Sequence, residues 1–191
     1  MERELEMKLT RTIFISIACV FLLPTCSLKT ETEKEIQSII YSEVMLYRYS
    51  YPGDGKFDFC KDEGLIINSL TEDFRTVTND WETAKSYFPQ LEKETWENFL
   101  QLNIQQTPFP SDLDLGCKYT LVNIKSDLPE PYTEDCPVVF FFSQIGFNSR
   151  KSQALVSHLK SCGWYSCGAL YFVELIDGHW TVKGLDYMVC A

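Results

Sequence analysis

The sequence predicts one α+β domain, in which N-terminal helices pack on a C-terminal antiparallel β-meander and disulfides staple the fold. Three observations carry this expectation. Ile36, Ile39, Ile40, Val44 and Tyr47 recur at three- and four-residue intervals, as on one face of a helix. Four β-rich runs separated by short turns occupy the last third of the chain. Eight cysteines are present, and six of them lie beyond an apolar leader. A length of 191 residues, 45% hydrophobic and 14% aromatic, suits one packed domain rather than a disordered chain.

The leader comes first. Lys8 and Arg11 precede the apolar run Ile13 to Leu23, which has the length of a signal-peptide core and falls short of the roughly 20 residues that a membrane-spanning helix needs. Residues 1–26 are therefore expected to be a signal peptide, whose start is either Met1 or Met7. Leu23-Pro24-Thr25-Cys26 resembles a bacterial lipobox, in which the cysteine takes a lipid and becomes the new N-terminus. The alternative is simple secretion after a small residue such as Ser27. Residues 27–35 are polar and read as a tether, and residues 36–191 as the domain.

Thr32 and Glu35 have capping-box spacing at the start of the first helix, and Tyr51-Pro52-Gly53-Asp54-Gly55 marks the chain's exit from it. Leu65 to Leu70 reads as a brief strand. A helical region follows, with Asn79 and Glu82 as a cap, Trp81, Ala84 and Phe88 on one face, and Trp96, Phe99 and Leu100 beyond Pro89. Thr107 to Asp112 contains two prolines and is a loop; Tyr119 to Ile124 returns to strand.

The meander comprises Val138 to Phe147, Gln153 to Ser161, Ala169 to Ile176 and His179 to Leu185. Asp177-Gly178 is a two-residue hairpin turn, which sets Leu175 opposite Trp180 and Val173 opposite Val182. With Cys162 opposite Cys167 and Asn148 opposite Gln153, one face carries Phe147, Ala154, Leu175 and Trp180 in a row, then Ile145, Val156, Val173 and Val182. A one-residue slip would scatter these rows, so this is the expected core face, covered by the first helix.

Six cysteines beyond the leader, Cys60, Cys117, Cys136, Cys162, Cys167 and Cys190, are an even set suited to an oxidising compartment, with Cys162–Cys167 as the expected hairpin staple. The single close pair is C-x4-C, with no second pair and no His at ligand spacing, so no metal site is expected, nor any cofactor. The same spacing lacks the C-x-x-C of a thioredoxin-like redox site. A formal net charge of −10 disfavours nucleic acid, whose phosphates demand clustered Lys and Arg. The membrane is expected to be met only through an N-terminal lipid.

Ile145-Gly146-Phe147-Asn148, Gln153-Ala154-Leu155-Val156, Cys162-Gly163 with Cys167-Gly168, and Asp177-Gly178-His179-Trp180-Thr181-Val182 resemble the C-terminal region of a group of uncharacterised exported bacterial proteins. The family pattern has S-R-[IV]-G-F-N, Q-A-L-V, two C-G pairs and a closing G-x-W-x-V, and this chain departs from it at Gln144, where an Arg is usual. The resemblance implies export, bacterial origin and a disulfide hairpin, and it implies no activity.

Two constellations could carry chemistry. The predicted register places Ser143, His158, Tyr171 and Gly184 in one row, with Lys160 and Asp186 one row beyond. A Ser opposite a His has the proximity of a nucleophile and its base, although no G-x-S-x-G elbow surrounds Ser143. The plainer reading is a polar row closing the core, with His158 hydrogen-bonded to Tyr171 or Ser143. The second is the aromatic loop Gly163-Trp164-Tyr165-Ser166, where Trp164 and Tyr165 either present rigid rings to a glycan or an envelope protein, or fold back on the sheet edge. The expected role is an exported envelope protein that binds rather than catalyses; the alternative is a secreted serine-type hydrolase using Ser143 and His158.

Overall fold

The computed structural model describes residues 32–48, 64–71, 80–123, 138–162 and 165–190, with the backbone alone for 46–48, 162, 165 and 187–190. Its first element, α1 (Glu33–Arg48), begins with the capping box that the sequence encodes. The Glu35 amide donates to Thr32 Oγ1 at 3.2 Å, and the Thr32 amide donates back to Glu35 Oε2 at 2.7 Å, so two donors that the first helical turn leaves orphaned are satisfied. The stretch read as a tether thus ends before Glu33. Ile40, Tyr41, Val44 and Met45 form the buried side of α1.

The remaining elements are β1 (Leu65–Asn68), α2 (Trp81–Tyr87), α3 (Lys93–Leu102), β2 (Tyr119–Val122), β3 (Val139–Phe142), β4 (Gly146–Phe147), β5 (Gln153–Cys162), β6 (Tyr165–Ile176) and β7 (His179–Cys190). They build an α+β domain on one seven-stranded sheet of order β2-β1-β3-β5-β6-β7, with β4 added against β5. Asp80, one residue after the expected cap, is the N-cap of α2 and accepts from the Glu82 and Thr83 amides.

The C-terminal strands form the expected antiparallel meander, but the sheet as a whole is mixed. β1 runs parallel to both β2 and β3, whereas β3, β5, β6 and β7 pair antiparallel. Parallel neighbours need a long crossover, and the chain between β1 and β2 contains α2 and α3. Ala84, Phe88, Leu91, Trp96 and Phe99 of this crossover pack on Leu155, Leu170 and Phe172. The first core lies on the other set of strand positions, where Ile40, Tyr41 and Val44 meet Phe142, Val156 and Tyr171. Helices therefore cover both faces, and Leu170 to Val173 are buried without alternation, the pattern of a strand enclosed on two sides.

The β6–β7 turn forms as its residues require. Asp177 and Gly178 both have positive φ, 51° and 80°, as a type I′ hairpin demands, and Leu175 faces Trp180 and Val173 faces Val182. Beyond Val182 the expected row breaks. Phe172 pairs with Gly184 and Tyr171 with Leu185, so Lys183 is an extra residue and β7 turns over from Gly184 to Tyr187, before a second register shift between Gly168 and Ala169. Gly184 now sits on the side of α2, where a Cβ would lie 3.2 Å from the Phe88 ring. Asp186 pairs with Leu170 instead of following the polar row.

The β5–β6 hairpin is also tighter than expected. Cys162 pairs with Tyr165, and Cys167 with Lys160 on one side and Cys190 on the other. The shift is by two residues, which keeps every side chain on its predicted face, but Cys162 and Cys167 are diagonal rather than opposite.

Burial raises the Asp186 carboxyl above its ordinary value. Its uncharged form is therefore favoured by the fold, and the stability it contributes is present at low pH and lost as pH rises. Asp186→Asn is expected to raise the urea midpoint at pH 7 and leave it nearly unchanged at pH 3, as followed by circular dichroism.

Candidate functional site

Ser143 and His158 lie at the junction of β3 and β4. The β3–β5 pairing ends with Phe142 opposite His158, and the β4–β5 pairing starts with Gly146 opposite Leu155. Residues 143–145 thus face only Val156 and Ser157, a bulge with one residue too many. The Ser143 carbonyl turns away from β5 and accepts from the Tyr41 hydroxyl at 2.8 Å. The Ser157 amide donates instead to Ser143 Oγ at 2.8 Å, while the Ser143 amide donates to the Ser157 carbonyl at 2.9 Å. The serine hydroxyl replaces a ladder carbonyl.

This corrects the expected row. His158 is opposite Phe142, not Ser143, and Tyr171 is opposite Val156, not His158. His158 is buried and stacks on the Tyr171 ring, with centroids 5.2 Å apart and planes at 16°. Phe140 and Phe142 flank it at 6.1 and 5.9 Å. Ser143 and His158 are both buried, at 0% and 1% exposure, so neither side chain is open to solvent. Burial also pushes the Tyr41 hydroxyl well above its ordinary value.

The segment after the bulge holds α3. A Cβ at Gly146 would lie 2.5 Å from Phe99 N and Cβ, and closer to Phe99 Cα, so only glycine lets this helix rest on β4. Carboxamides secure both helix ends. At the N-terminus, Gln153 Oε1 accepts from the Glu92 amide at 2.9 Å, and Gln153 Nε2 donates to the Gln90 carbonyl and to Glu174 at 3.0 Å each. Asn148 Oδ1 accepts from the Ser152 and Gln153 amides at 2.8 and 3.1 Å, and its Nδ2 donates to Glu92. At the C-terminus, Asn103 Nδ2 donates to the Gln144 carbonyl at 3.1 Å and Asn103 Oδ1 accepts from the Gln144 amide at 2.8 Å. Sequence reading took Asn148 and Gln153 as hairpin neighbours and missed this role, whose signal was a conspicuous set of Asn and Gln around one glycine.

Beside this clip runs an open groove of about 720 Å³, lined by Asn98, Gln101, Leu102, Ile104, Gln105, Thr107, Gln144 and Phe147. Among the described residues none of these eight is ionisable. Asn98 Nδ2 donates to the Phe147 carbonyl at 2.7 Å and Gln144 Nε2 to the Leu102 carbonyl at 2.7 Å, which fixes two of its walls. Leu102 and Ile104 stand 42% and 51% exposed, among the few large apolar side chains so placed. Among the described residues no group of three His, Cys, Asp or Glu side chains could hold a metal ion.

Of the other expected site residues, Cys167 is buried in β6. Cys26, Cys60, Cys136 and Trp164, and the side chains of Tyr165, Cys162 and Cys190, lie outside the described residues. No family model, curated protein or solved structure matches the chain.

Two substitutions test this geometry. Ser143→Ala strands the buried Ser157 amide and should cost about 1–3 kcal/mol in urea denaturation. Gly146→Ala should cost about as much or more, since backbone atoms of α3 must move. A pH series tests Tyr41: its contribution is intact below roughly pH 10, the value of an unfolded tyrosine, and is lost as pH rises toward the folded value. Tyr41→Phe should flatten the alkaline loss of stability.

Proposed function

We propose that this protein is an exported cell-envelope protein of bacterial type, acting as a non-catalytic binding or interaction module and not as a hydrolase. The observation that carries the non-catalytic reading is the sealed bulge. Ser143 Oγ accepts the Ser157 amide inside the sheet, so the serine of the expected pair serves the backbone. A hydroxyl in that position would have to give up a buried hydrogen bond before it could attack a carbonyl.

Export is supported by the leader, by the likeness to the uncharacterised exported family and by cysteine chemistry. Cys117 and Cys167 are disulfide-bonded, a state that belongs to oxidising compartments. The backbone of Cys190 lies directly across from Cys167 in the β6–β7 ladder, and opposed positions suit a disulfide better than diagonal ones. Cys190 is therefore a candidate partner of Cys167 beside Cys162, the partner expected from the hairpin. Among the described residues no helix is long and apolar enough to cross a membrane. In this reading, attachment to the membrane runs through a lipid on Cys26.

The intact mass of protein isolated from membrane and soluble fractions, before and after reduction, tests the export reading. A membrane-bound species starting at Cys26 with a diacylglycerol increment, gaining about six protons on reduction, is expected. An unprocessed chain with free thiols would overturn it. Non-reducing peptide mapping should recover Cys167 in a disulfide-linked peptide and identify its partner as Cys162 or Cys190. For the role, Ser143→Ala should leave every measurable ester- or amide-cleaving activity unchanged, and abolition of such an activity without unfolding would favour the hydrolase.

A further inference from the structure

Building on the binding-module reading, we infer that the groove beside the C-terminal end of α3 takes an extended, uncharged stretch of a partner polypeptide. The groove's composition departs from that of the chain. Charged residues make up 23% of the sequence and the net charge is −10, yet none of the eight lining residues is ionisable. A neutral ligand enters such a site without the desolvation cost that a charge meets when no opposite charge awaits it.

Carboxamides dominate the lining through Asn98, Gln101, Gln105 and Gln144. Each offers donors and an acceptor in one plane, which matches the paired N–H and C=O of an extended backbone. The molecule already uses this pairing beneath the groove, where Asn103 clasps the Gln144 backbone through two complementary bonds of 3.1 and 2.8 Å. Gln101 and Gln105 are exposed on the wall above, and the exposed Leu102 and Ile104 between them offer apolar contact for alternate side chains of a strand-like segment.

A glycan fits less well. Sugars favour an open aromatic face, and Phe147, the one aromatic ring of the lining, is half-buried, with Trp180 against it at 5.9 Å and Lys151 Nζ over it at 6.0 Å. Pre-ordering of the groove by the α3 clip limits the entropy lost on binding.

The experiment is a ¹H–¹⁵N NMR titration of the mature, oxidised protein with N-acetylated, C-amidated octapeptides composed of Ser, Thr, Val and Leu. Acidic octapeptides and neutral chito-oligosaccharides serve as parallel probes. The neutral peptides are expected to give saturable shifts at Gln101, Ile104, Gln105 and Gln144. Ile104→Glu should weaken binding by about tenfold or more, because it sets a charge against an apolar contact. Tyr87→Glu, at an exposed position of α2 outside the lining, should change it less than about twofold. Saturable shifts at these positions from the saccharide or the acidic peptides alone would overturn the inference. So would shifts elsewhere, or none. A shift elsewhere would leave the binding-module reading standing, since that reading fails on a separate result, the loss of hydrolysis in Ser143→Ala.

Discussion

The close approach of α3 to β4 at Gly146 is the constraint on which the rest depends. A helix that lies with Phe99 directly over a strand glycine has little freedom to slide, and its ends are held to the same short segment of sheet, by the Gln153 side chain at one and by the Asn103 side chain on the Gln144 backbone at the other. Because Phe99, Trp96 and Leu91 then cover Leu155, Leu170 and Phe172, the position of one glycine organises an entire core. The groove inherits its walls from the same contact.

The bulge at residues 143–145 is the second consequence. β3 aligns with β1 in parallel, and β4 must reach α3; one extra residue between them reconciles the two. The penalty of a bulge is an unmatched ladder amide, and here Ser143 Oγ satisfies the amide while Tyr41 satisfies the displaced carbonyl. Tyr41 thereby links α1 to the same strand segment that α3 grips from the opposite face. The two cores are joined through hydrogen bonds at this bulge.

Charge plays a peripheral part in this design. Lys34–Asp112, Arg150–Glu92 and Lys151–Glu33 are exposed ion pairs at the rim, the kind that contribute little to stability. They flank α1 and the β4–β5 turn, where they restrict the ends of elements already placed by packing. Polar specificity resides instead in buried or half-buried amides, each meeting backbone groups that water cannot reach.

What the residues determined by themselves is local. The Ile stripe and capping box of α1, the type I′ turn at Asp177-Gly178 and the alternation of the C-terminal runs depend on neighbours within a few positions, so helix, hairpin and core face could be read in advance. Tertiary structure alone decided what depends on distant partners: the parallel placement of β1, the second core beneath α2 and α3, and the bulges at Ser143 and Lys183 that dissolved the Ser143–His158 row. A bulge leaves no periodic trace, because it arises when two well-formed pairings of different register must share one strand. Gly146, Asn148 and Gln153 stood out as residues, but their purpose became visible only with a helix, some fifty positions earlier in the chain, lying across them.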